Sequence, residues 1–133
     1  MSIKEVVCAV IVREGRILLT QRRPGKSFAF AWESPGGKAE MSDSWHSALR
    51  RECLEELGIT VGHLDEYPIA YHHDETRQIM FYAVADWTGE PKPIEGQGIG
   101  WFTAEEMQRL TLTPGNVTAM AAIEREMRKG AGQ

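Results

Sequence analysis

Apolar and polar positions along this chain follow two periods, and the change from one to the other marks the elements. Val6 to Val12 is a β-branched run. Ile17-Leu18-Leu19 answers it across Arg13-Glu14-Gly15-Arg16, which predicts a hairpin turning at glycine. Arg22 to Lys26 is a basic loop, and Phe28 to Trp32 is an aromatic stretch expected to be partly buried. A helix is predicted from the N-cap Ser44 to a stop at Gly58, with Cys53 and Leu57 turned to the core. Tyr67–Tyr71, Gln78–Trp87 and Gly100–Phe102 read as strands, and His72-His73-Asp74-Glu75 between the first two as a solvated hairpin tip. Neighbouring residues on a strand point opposite ways, so the two histidines do not make a ligand pair.

Thr103-Ala104-Glu105-Glu106 has the form of a capping box and opens a short helix to about Leu110. Thr113-Pro114 begins another, expected from about Gly115 to Arg128 and ended by Gly130. On it Val117, Met120, Ala121, Ile123 and Met127 are the expected core face. Strands interrupted by one helix and closed by another suggest an α/β chain with a mixed sheet between helices.

Totals narrow the class. The 133 residues suit one domain, residues 1–133, with a real core. Apolar residues make up 42% and charged ones 26%, as in globular proteins. A formal net charge of −4 argues against long nucleic acid held on a basic surface, while leaving room for a small phosphate ligand. Cys8 and Cys53 sit in apolar stretches without ligand spacing and are expected to be buried, reduced thiols. No stretch is long and apolar enough to span a membrane, and the first residues lack a signal-peptide pattern, so a cytoplasmic location is expected. Nothing in the chain speaks to oligomeric state.

The candidate chemistry lies between Gly36 and Ile59. Glu52, Glu55 and Glu56 are spaced i, i+3, i+4, which on a helix puts three carboxylates within roughly 100° of one another. Like charges so placed repel unless a cation joins them, and oxygen-rich sites suit magnesium or manganese. A solvated acidic face is the plainer reading. Pro35-Gly36-Gly37 just before it tips the balance, because glycine lets backbone approach a ligand closely and tolerates positive φ in a turn.

Gly37, Arg51, Glu52, Cys53, Glu55, Glu56, Gly58 and Ile59 stand in the register of the Nudix box, and the segment 37–59 resembles it. Asp43 replaces the pattern's first glutamate, and Ser42 precedes it where the family often has glycine. We read that departure as a change in the loop and helix entry, with the metal site intact. The likeness extends over roughly residues 5 to 125 to MutT-type nucleoside triphosphate pyrophosphatases. It is carried by Leu18-Leu19-Thr20-Gln21-Arg22, Trp32-Glu33, Pro35-Gly36-Gly37-Lys38, Glu95-Gly96-Gln97 and Pro114-Gly115-Asn116.

This resemblance implies a Nudix-type α/β/α sandwich and a small-molecule nucleotide substrate, (d)NTP or 8-oxo-dGTP, cleaved to the monophosphate and pyrophosphate with Mg2+ or Mn2+. It implies metal ligation by Gly36, Glu52, Glu55, Glu56 and Glu95. Glu52, Glu55 and Glu95 carry the catalysis, with either Glu52 or Glu95 as base. Substrate contacts fall to Arg22, Glu33, Ser34, Pro35, Gly36 and Asn116, with Asn116 reading a purine. Ser34 stands where relatives carry an apolar residue, which weakens stacking there. Arg51 is expected to pair with a neighbouring acid and hold the helix in place. Two further readings stay open: the same chemistry on a nucleotide sugar or a capped RNA end, and a Nudix-shaped module that binds a nucleotide without turnover.

Overall fold

The computed structural model describes residues 3–40 and 43–131; Ser42, which departs from the box, lies outside them. Ten strands and three helices follow in the order β1 (Lys4–Val10), β2 (Val12–Arg13), β3 (Arg16–Gln21), β4 (Trp32–Glu33), β5 (Gly36–Lys38), α1 (Trp45–Leu57), β6 (Thr60–Val61), β7 (Ala70–His73), β8 (Arg77–Ala83), β9 (Trp87–Thr88), β10 (Gly98–Phe102), α2 (Ala104–Arg109) and α3 (Pro114–Ala131). A four-stranded sheet runs β5-β1-β8-β7, parallel between β1 and β8 and antiparallel elsewhere. A second runs β10-β3-β2 with β4 on β3, and β6 pairs β9.

Both faces of β1 and β8 are covered, so their sequences read as unbroken apolar runs rather than alternations. Val7, Ala9, Met80 and Tyr82 face one layer with Ala48, Leu49, Cys53 and Leu57 of α1. Cys8, Val10, Ile79 and Phe81 face the other with Met107 of α2 and Ala119, Ile123 and Met127 of α3. The result is the expected mixed sheet between helices. Cys8 and Cys53 are free and buried, one in each layer. Burial pushes both thiols up, Cys53 to about 12.

Local signals fixed the helix ends. Ser44 caps α1 by accepting from the Ser47 N–H at 3.0 Å, and Gly58 ends it in the left-handed region at φ 70°. Thr103 and Glu106 form the complete capping box of α2. The first turn is Glu14-Gly15, both at positive φ, between β2 and β3.

Five expectations need correction. Gly36–Lys38 is not a turn but an edge strand on β1, and neither Gly36 nor Gly37 has positive φ. Phe28 and Phe30 are 53% and 59% exposed rather than partly buried, in a loop that stands off the sheets. Tyr67 is exposed and precedes β7, and the segment from Gln78 to Trp87 divides into β8 and β9. The core face of α3 is rotated: Ala119, Ala122, Ile123 and Met127 are buried, whereas Val117 is exposed. Gly130 does not end α3, which continues to Ala131.

Candidate active site

Helix α1 is held over the edge strand β5 by one arginine. Arg51 donates from Nη2 to Asp43 Oδ2 at 2.7 Å and to the Lys38 carbonyl at 3.3 Å. Its Nη1 donates to Glu52 Oε1 at 3.1 Å and lies 3.9 Å from Glu55 Oε2. Asp43 also accepts from the Glu40 N–H, and the Arg51 guanidinium holds its carboxyl below the ordinary carboxylate range. The aspartate at this position therefore works in the loop and helix entry.

The two glycines of β5 let the layers close. A Cβ on Gly36 would lie 1.9 Å from the Val7 carbonyl oxygen, inside the β1 backbone. A Cβ on Gly37 would lie 2.4 to 2.6 Å from the carboxyl atoms of Glu52. Close approach, not unusual φ, is what position 36 and position 37 require. The Gly36 N–H then donates to Glu56 Oε2 at 3.0 Å.

Beside this seam opens a cavity of about 270 Å3. Glu33, Glu52, Glu56 and Glu95 line it, together with Gly36 and Gly37, and so do Arg22, Arg23 and Lys26. Burial pushes Glu56 up to about 8, and the charges of Glu52 and Glu95 add to the rise while the Gly36 N–H opposes it. Burial likewise raises Glu52, against Arg51 and with the help of Glu55 and Glu95. Among the described residues Glu56 has no cationic partner, only that one backbone N–H. A buried carboxylate without a cationic partner, crowded by others, is a donor a hard divalent cation favours. Among the described residues, no three acidic, histidine or cysteine side chains gather at ligand distance. The carboxylates thus share a field rather than a single point.

Not every expected residue reaches this cavity. Glu55 does not line it, and its side chain is 54% exposed beside Arg51. Pro35 contributes its carbonyl to the Ala9 N–H at 2.8 Å, a tie between β1 and the entry to β5. Arg22 does line it: Nη1 donates to Glu33 Oε2 at 3.1 Å and Nε to the Ser27 carbonyl at 2.6 Å. Burial raises Glu33, and Arg22 opposes the rise.

Across the Arg22–Glu33 pair lies a second cavity of about 290 Å3, which shares Arg22, Glu33 and Gly36 with the first. Ser34 and Asn116 line it and are bonded to each other. The Ser34 N–H donates to Asn116 Oδ1 and Asn116 Nδ2 donates to Ser34 Oγ, both at 3.0 Å with both residues buried. Two residues of the first cavity lie outside the expected site set. Gln97 is buried, accepts from the Glu95 N–H at 3.0 Å and donates to the Glu56 carbonyl at 3.1 Å. Arg23 donates to the Glu95 carbonyl at 2.6 Å. Gln97 ties the Glu95 loop to α1, and Arg23 ties it to the loop after β3. A glutamine between two glycines, Gly96 and Gly98, was the available signal.

The chain matches the NUDIX domain over residues 2–123. It is 37% identical over 128 residues to the CTP pyrophosphohydrolase of Escherichia coli (strain K12), covering 92% of this chain and 93% of that one. It is 36% identical over 118 residues to an 8-oxo-dGTP diphosphatase of Haemophilus influenzae, covering 86% and 87%. Its fold matches the MutT NUDIX hydrolase from Burkholderia pseudomallei with a TM-score of 0.78 and 30% identity, over 93% of this chain and 98% of that one. Among the described residues no helix is long and apolar enough to cross a membrane. An acidic helix face locked over a glycine strand, and a likeness that runs along nearly the whole chain, come to one conclusion: the chain belongs to the Nudix family of hydrolases.

Proposed function

We propose that this chain hydrolyses nucleoside triphosphates to the monophosphate and pyrophosphate, using magnesium or manganese, in the cytoplasm. The observation that carries the reading is one cavity in which Glu52 and Glu56 of α1, the latter unpaired among the described residues, share a wall with Arg22, Arg23 and Lys26, continuous with a second cavity floored by Asn116. The names of the relatives at 36% and 37% identity support it.

Glu52 and Glu56, with Glu55 and Glu95 in the same field and the Gly36 carbonyl beside them, would hold the cation. When bound, such an ion polarises a phosphoryl oxygen and offsets charge on the phosphates. The residues of the chain do the rest. Arg22 offers a planar fork to phosphate oxygens, oriented by Glu33. Lys26 and Arg23 bring further positive charge to the same wall, where negative charge spreads as phosphorus is attacked. Glu52 or Glu95 takes the proton of the attacking water. Ser34 and Asn116 bound the nucleoside side, with the Asn116 amide oriented by Ser34, and Pro35 sets their position through its tie to β1.

A panel of nucleotides incubated with magnesium, scored for phosphate against pyrophosphate, tests the reading. Pyrophosphate release that stops on chelation is expected. Tight nucleotide binding without any turnover would refute it and leave a sensing module.

A further inference from the structure

Phe28 stands in an unusual position for a phenylalanine. Its backbone is left-handed, at φ 53°, a region bulky side chains rarely occupy, and its side chain is 53% exposed. The surroundings enforce this. The Ala31 N–H donates to the Phe28 carbonyl at 3.0 Å, the Phe30 N–H to the Arg22 carbonyl at 2.9 Å, and Arg22 Nε to the carbonyl of Ser27. Backbone strain that persists because several bonds over-determine it is characteristic of ligand-contacting segments.

The ring does not face open solvent alone. It borders a cavity of about 140 Å3 with Glu33, Arg77, Ile79 and Thr113, and those four residues also line the cavity that holds Ser34 and Asn116. The two spaces are therefore contiguous. Phe28 and Phe81 are the phenyl rings along them, and Phe81 is fully buried in the core. At position 34 there is only a hydroxymethyl group, already bonded to Asn116. An aromatic face for a flat ligand has to come from elsewhere.

We infer that Phe28 supplies the surface on which the nucleobase stacks, in place of a side chain at position 34, an inference that rests on the nucleotide reading above. Stacking accepts any base, since every base has a π face, so selectivity among bases is left to the polar edge of Asn116. The same arginine that pins the loop also faces the phosphates, which couples the placement of the ring to phosphate binding.

The test compares CTP, dGTP and 8-oxo-dGTP with ribose 5-triphosphate, which lacks a base, each with magnesium. Phe28→Asn keeps a residue tolerant of left-handed backbone while removing the ring. Its loss of kcat/KM for the nucleotides should exceed its loss for ribose 5-triphosphate by on the order of tenfold, carried in KM. Phe28→Trp should restore the nucleotide preference and show fluorescence quenching on nucleotide binding. Phe30→Asn, in the same loop with φ 69° but lining none of these cavities, should show no such difference. Equal losses on both substrate types in Phe28→Asn would overturn the inference, since they would mean the ring only supports the loop. Wild-type protein that cleaves nucleotides without a quench in Phe28→Trp would overturn it while leaving the proposed function standing. Wild-type protein that neither binds nor cleaves any nucleotide would overturn both.

Discussion

Replacing Glu56 by glutamine separates what the fold pays in electrostatic repulsion from what a cation returns. In the folded protein Glu56 ionises at about 8, against an ordinary 4.5. Between those values the folded state binds more protons than the unfolded one, so the contribution of Glu56 to stability is intact below 4.5 and is lost as pH rises through about 8. The displacement corresponds to about 5 kcal/mol at roughly 1.4 kcal/mol per tenfold change in proton affinity. Water reaches the cavity and screens the carboxylate, which brings the expected effect to about 2–3 kcal/mol. Glutamine resembles the protonated acid, and its Oε1 can still accept the Gly36 N–H. In chelator, Glu56→Gln should match wild type at about pH 4 and exceed it at about pH 9, by roughly 7–10 °C in Tm for a chain of this length. With saturating magnesium the order should reverse, and turnover should fall by orders of magnitude. Thermal melts at paired pH values, with and without metal, measure all of this. A variant less stable than wild type at high pH in chelator would refute the reasoning, because it would show that the protein already balances the Glu56 charge by itself.

The remaining predictions concern the supports of the site. Gly37→Ala places a Cβ against the movable end of Glu52, so stability should shift by less than about 1 kcal/mol while turnover drops on the order of 100-fold; urea unfolding beside steady-state rates checks the split. Asn116→Ala leaves the Ser34 N–H and hydroxyl buried without partners, and should cost about 2 kcal/mol in the urea midpoint at constant m. Arg51→Lys loses the fork whose Nη2 holds Asp43 and the Lys38 carbonyl and whose Nη1 holds Glu52, and should lower stability, less at high salt, read by unfolding at two ionic strengths.

What the sequence displayed was local or periodic. Ser44, Gly58 and the Thr103–Glu106 box satisfy helix ends from within a few residues, and β1 and β8 are apolar throughout because each is buried on both faces. What it concealed depends on distant partners. Pro35-Gly36-Gly37 reads as a turn until β1 is laid beside it, when two missing Cβ atoms become a requirement of strand and helix contact. Ser34 and Asn116 are 82 positions apart, so neither residue signals the other. Phe28 and Phe30 have core composition, yet their loop is pinned by Arg22 away from any core. Glu55 shares the helical spacing of its neighbours but sits on the outer side of Arg51, a matter of rotation that spacing alone does not fix.

The two cysteines meet solvent in different ways. Cys53 is sealed beneath α1, while Cys8, on the α3 side, stands in the wall of the cavity that holds Ser34 and Asn116, and neither thiol ionises readily there. Alkylation of Cys53 can proceed only as fast as α1 lifts away, whereas Cys8 answers to whatever fills that cavity. Following the two adducts by mass spectrometry would separate opening of the α1 side from occupation of the cavity by a nucleotide.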